Sequence, residues 1–124
     1  MAVTYRIDGN VLFMTFTGTY APDDVTRQFV AAINDPACPA HVHLVVDVTA
    51  SESLATRPTD EIRRVAEALG PHAARIGGRC AVVASEDVHF GLSRMGAVYS
   101  QSVGVETRVF RTLDDALAWL DDAA

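Results

Sequence analysis

The chain has no lysine. Its ten basic residues are all arginine, set against sixteen acids, and the formal net charge is −6. An acidic domain gains nothing from phosphate neutralisation, which argues against nucleic acid as a partner. Cysteine is scarce too: the two present, Cys38 and Cys80, do not form a disulfide framework. Cys80 lies inside the apolar run Cys80-Ala81-Val82-Val83-Ala84 and reads as a small buried hydrophobe. Cys38 sits in a proline-flanked loop. No apolar run approaches the ~20 residues that span a bilayer, so stable membrane insertion is not expected. The opening Met1-Ala2-Val3-Thr4-Tyr5-Arg6 lacks a basic region followed by an apolar one, and the expectation is a cytoplasmic protein. His41 and His43 share one face of an extended segment, but no cysteine or acid at ligand spacing accompanies them, so no metal is expected. No cofactor motif is found, and no G-x-S-x-G nucleophile elbow.

What is present is apolar and ordered. With 49% apolar and 21% charged residues over 124 positions, the chain reads as one domain, residues 1–124, with a real core. Val3, Tyr5 and Ile7 alternate with polar residues as in a half-buried strand, and Asp8-Gly9-Asn10 marks a hairpin into a second strand over 11–16. Pro22-Asp23-Asp24 opens a helix with Val25, Phe29, Ala32 and Ile33 inward. A strand over 42–48 follows, then a loop of about nine Ser- and Thr-rich residues. A second helix starts near Pro58, with Ile62, Val65, Ala66 and Leu69 inward, and Gly77-Gly78 reads as a break. Cys80–Ala84 reads as a strand buried on both faces. A third helix over 89–102 should turn Leu92, Met95, Val98 and Tyr99 inward. A fifth strand over 105–110 leads through Thr112 into a last helix, Leu113–Asp121. The order is β-β-α-β-α-β-α-β-α: an α/β fold with a mixed five-stranded sheet and four helices.

The most informative stretch is His43-Leu44-Val45-Val46-Asp47-Val48-Thr49-Ala50-Ser51-Glu52-Ser53. An apolar run gives way to an acid and hydroxyls, as when a central strand ends in a polar loop, and ligands of open α/β sheets gather beyond such strand ends. Asp47, Thr49, Ser51 and Arg57 are therefore candidate ligand- or partner-binding residues. Asp47 also suits a purely structural part, tying down the loop through backbone N–H groups. Phe90-Gly91-Leu92-Ser93-Arg94-Met95 opens the third helix and adds Phe90, Gly91 and Arg94. Arg94 could pair with Asp47 or take an anion together with the helix N-terminus. The acid pairs Asp23-Asp24, Asp60-Glu61 and Asp114-Asp115 each begin a helix and are explained by the helix dipole.

The order and four stretches resemble the STAS fold of anti-sigma-factor antagonists, and more closely the SpoIIAA-like (STAS/SEC14-type) family of mostly unassigned function. These stretches are Phe16-Thr17-Gly18 closing the hairpin; Leu44-Val45-Val46-Asp47; Val82-Val83-Ala84 with Phe90–Met95; and Val109-Phe110-Arg111-Thr112 running into Asp115–Leu120. The resemblance implies a STAS-like sheet over nearly the whole chain. Antagonists carry Asp-Ser-Ser-Gly after the central strand, with one serine as the phosphorylation switch. Here the stretch reads Asp47-Val48-Thr49-Ala50. Thr49 keeps a hydroxyl and is the phosphorylation candidate, but the departure weighs against a phosphoswitch.

The expected function is a non-enzymatic module that binds a partner protein or a small apolar or anionic ligand, a lipid included, at the carboxyl end of the sheet. A lipid would need an apolar pocket under the third helix near Phe90, Leu92 and Met95. The alternatives are a hydrolase-type enzyme, which needs Asp47, Ser85, His89 and Arg94 to converge, and a structural homodimer that uses a helix face or the N-terminal hairpin, whose first strand reads as an open edge.

Overall fold

The computed structural model describes residues 2–122. Strands β1 (Val3–Asp8) and β2 (Val11–Gly18) form the expected hairpin, and helix α1 (Pro22–Ile33) leads into β3 (Val42–Ser51). A 3₁₀ turn at Leu54–Thr56 precedes α2 (Thr59–Glu67), and another at Gly70–His72 precedes β4 (Ile76–Val83). Helix α3 (Asp87–Ser102), strand β5 (Glu106–Phe110) and α4 (Leu113–Asp121) complete the chain. Gly9, at φ 58°, occupies the left-handed position that the hairpin turn needs. Local chemistry starts the helices: the Ala21 N–H donates to the Asp24 carboxylate at 3.0 Å, and Thr112 Oγ1 accepts from the Asp115 N–H at 3.2 Å.

The sheet runs β1-β2-β3-β4-β5. Only β1–β2 is antiparallel; the other pairs are parallel. Because the strands are added in one direction, right-handed crossovers bring α1, α2 and α3 to the same face. Leu12, Met14, Leu44, Cys80 and Val105 form the main core beneath them. Helix α4 closes the other face over β3–β5, where Trp119 and Leu120 pack on Val45, Ala81 and Val83. Arg79 lies across the Trp119 ring, 4.5 Å from its centroid, and donates to the Trp119 carbonyl at 2.6 Å.

Three elements differ from the sequence expectation. β3 runs on to Ser51, so the first three residues of the expected Ser/Thr loop are strand. Gly77 and Gly78 lie inside β4, not at a break. There the β3–β4 register slips, from Val42 opposite Ile76 to Leu44 opposite Cys80, so the glycines mark an irregularity within a strand. α3 is rotated from the expected face: it buries His89, Ser93, Ala97 and Ser100, while Val98 is 64% exposed. Small side chains at 93, 97 and 100 let α3 approach β5 and α2 closely, which outweighs the pull of larger apolar residues on its flanks. Cys38 and Cys80 are both free thiols.

Candidate functional site

α2 carries a short apolar stripe, Ile62 and Ala66, flanked by the half-buried Val65 and Leu69. It packs chiefly on α3, then on α1, and only slightly on any strand. A helix held off the sheet by its neighbours leaves space beneath it. That space is a cavity of about 130 Å³ between the helices and the sheet. Met14, Phe16, Leu44, Val46 and Val82 form its floor, and Ile62, Val65 and Ala66 its roof. Ser93, Gly96, Ala97 and Ser100 of α3 form one wall.

The cavity's polar edge is built at the end of β3. Between Thr15–Asp47 and Thr17–Ala50, β3 advances three residues while β2 advances two. One extra residue in a strand reverses the in–out alternation beyond it. Val48 faces the main core, Thr49 and Ala50 are exposed, and Ser51 is again buried. Ser51 Oγ lies 2.7 Å from the Tyr20 hydroxyl and accepts from the Leu54 N–H at 3.2 Å. The Tyr20 ring meets Phe16 edge-on at 5.2 Å between centroids.

Arg57 completes this edge. Its side chain is 9% exposed. It donates to the Tyr20 carbonyl at 2.7 Å, to Ser53 Oγ at 3.1 Å and to the Glu61 carboxylate at 3.3 Å, with its guanidinium over the Tyr20 ring. The guanidinium is thus occupied within the fold and ties the segment after β3 to the start of α2. Cys80, on the cavity floor, is fully buried, and that burial pushes its thiol up to about 12.

The seven sequence candidates fall into three groups. Arg57 lines the cavity together with Tyr20; Ser51 bonds to the Tyr20 hydroxyl, and Ser53 and Glu61 bond to Arg57. Sequence reasoning missed Tyr20 and Glu61. Tyr20 lies in the short link between β2 and α1, and nothing in its local pattern marks it. Asp47 and Thr49 form the second group: Asp47 takes the structural part, accepting the N–H of the exposed Thr49 at 2.9 Å. By strand alternation it follows Val45 toward the face that α4 covers. Phe90, Gly91 and Arg94 form the third group. Phe90 and Arg94 line a groove between α3 and β5, Phe90 lies under the Arg111 guanidinium at 4.1 Å, and Gly91 is exposed. No Asp47–Arg94 ion pair forms. The cavity under α3 is lined by Leu92, but neither Phe90 nor Met95 reaches it.

The four side chains considered for hydrolysis are not brought together. No hydrogen bond joins any two of Asp47, Ser85, His89 and Arg94. His89 is buried on α3, its Nδ1 without a hydrogen-bond partner and 3.8 Å from the Glu86 carboxylate. Among the described residues no group of three His, Cys, Asp or Glu side chains is placed to hold a metal ion. No helix among them is long and apolar enough to cross a membrane.

A hairpin followed by three crossovers onto one face, with a closing helix on the other, is the SpoIIAA-like architecture. The SpoIIAA-like family model matches residues 11–121, and the chain belongs to that family. Among solved structures it is similar to an uncharacterised DUF3478-family protein with a SpoIIAA-like fold from Shewanella loihica PV-4. The TM-score is 0.59 and the identity 17%, over 96% of this chain and 92% of that one. A search of curated proteins gives no match.

Proposed function

We propose that this chain is a non-enzymatic binding module that takes a small apolar ligand into the cavity beneath α2. The carrying observation is the cavity itself, about 130 Å³ and walled mostly by carbon. Its size narrows the ligand. An engineered cavity of ~150 Å³ stays dry and takes benzene, whereas pockets for drug-sized ligands run to roughly 300–1,000 Å³. One aromatic ring or a short branched chain fits; a full acyl chain does not unless α2 moves. The occupied guanidinium of Arg57 favours an apolar ligand over an anion, since among the described residues no other cation lines the cavity. The separation of Asp47, Ser85, His89 and Arg94 supports binding over hydrolysis.

Titration of the purified chain with toluene, followed by thermal unfolding and by amide chemical shifts, tests the proposal. A saturable rise in melting temperature is expected, with shift changes centred on Ile62, Ala66, Leu92 and Ala97. Shift changes scattered over the surface, or no saturation, would sink it.

A further inference from the structure

Three hydroxyl side chains of α3 and β5 line the cavity, and two of them are taken. Ser100 Oγ donates to the Gly96 carbonyl at 3.3 Å, and Thr107 Oγ1 to the Val105 carbonyl at 3.0 Å. Ser93 is different. It is 9% exposed, lines the cavity, and its hydroxyl makes no hydrogen bond to any described residue. A serine in mid-helix commonly returns its hydroxyl to the carbonyl four residues earlier; this one does not. A hydroxyl with no partner in the fold must find one in water or in a ligand, and Ser93 lines the cavity. The neighbouring Gly96 and Ala97 leave room around it.

We infer that Ser93 is the polar anchor of the cavity, and that the ligand is a small neutral molecule with an apolar body and a single hydroxyl or carbonyl group. The inference rests on the binding reading above and specifies its ligand. A hydroxyl both donates and accepts, so Ser93 serves either an alcohol, a phenol or a ketone. A charged ligand is disfavoured, because it would lose its hydration without a free counter-charge to replace it. The Arg57 guanidinium is bonded to Tyr20, Ser53 and Glu61, and the Cys80 thiol stays neutral. A ligand with several polar groups would leave some of them unmatched, because the rest of the lining is mainly carbon or already bonded. A lone water is a weak competitor, since buried water usually finds about three partners.

Phenol and toluene have nearly the same shape, so their comparison isolates the hydroxyl. Calorimetric titration of both into the wild-type chain and Ser93→Ala gives four affinities. The phenol-over-toluene ratio is expected to fall about 3- to 10-fold in Ser93→Ala, the range of one net hydrogen bond. Toluene binding should be unchanged or tighter, which also shows that the variant keeps its cavity. Ser93→Thr, which keeps the hydroxyl, should retain the phenol preference. In the wild type, bound phenol should give nuclear Overhauser contacts to the Ser93 β-protons. An unchanged ratio in Ser93→Ala, or no contact to Ser93, overturns the anchor while leaving the apolar cavity standing. Failure of both probes to bind the wild type overturns the binding reading itself.

Discussion

Ala66→Leu fills the cavity from its roof. Ala66 is 8% exposed and lines the space below α2. At ~24 cal/mol per Å³ of void, a cavity of about 130 Å³ represents about 3 kcal/mol of packing that the fold forgoes, the ceiling on any gain from filling it. Leucine adds three carbons, each worth ~0.8 kcal/mol when buried, or about 2.4 kcal/mol. Fixing its rotamer takes back roughly 0.5–1 kcal/mol. The net gain is about 1.5 kcal/mol, below the ceiling. For a domain of this size that raises the melting temperature by about 6 °C. Circular dichroism melts with and without toluene give both readouts: the variant should melt higher and lose the toluene-induced rise. A fall in stability by the ~1–3 kcal/mol typical of overpacking would refute the reasoning, because it would mean that α2 already rests on the sheet.

Arg57→Met keeps the stem but leaves the Tyr20 carbonyl, Ser53 and Glu61 without their shared donor; urea unfolding should show a loss of about 2–4 kcal/mol. Cys80 ties stability to alkaline pH. Its folded-state value, about 12, lies above its ordinary 9.0, so the folded chain holds the proton longer. Its contribution is complete below pH 9 and is lost as pH rises toward 12; Cys80→Ala should flatten that part of the stability–pH curve in urea titrations. In native protein, a thiol reagent at pH 8 should label the half-buried Cys38 and leave Cys80 untouched until unfolding. Thr49→Glu should leave toluene affinity within about twofold of wild type by calorimetry, because Thr49 is exposed across the strand from Val48 and the cavity.

Apolar runs and turn residues made most of the architecture legible. β1 and β2 followed from alternation around Asp8-Gly9-Asn10, and α1 and α4 from acids at their N-termini followed by inward stripes. What stayed hidden was relational. Nothing local in Val48-Thr49 announces an extra residue, because it exists only relative to β2; yet it decides that Ser51 turns inward to Tyr20. In α3, hydrophobicity and size point to different faces, and size decides. Leu92, Met95 and Val98 outscore Ser93, Ala97 and Ser100 in apolar character, but the small set is what a close helix contact requires. That spacing of small residues was the available signal. The cavity had no signal at all, since it arises from α2 packing on other helices instead of the sheet.

The same void makes this fold sensitive to pressure. The volume lost on unfolding, usually about 20–100 mL/mol, grows with the void a fold holds without equalling it, and this one holds about 130 Å³. Water floods the space when the chain opens, so compression favours the open chain more than it would a solidly packed sheet of equal size. An occupant would remove much of that volume difference. The empty and filled forms should therefore differ more under compression than under heat, although their backbones are the same.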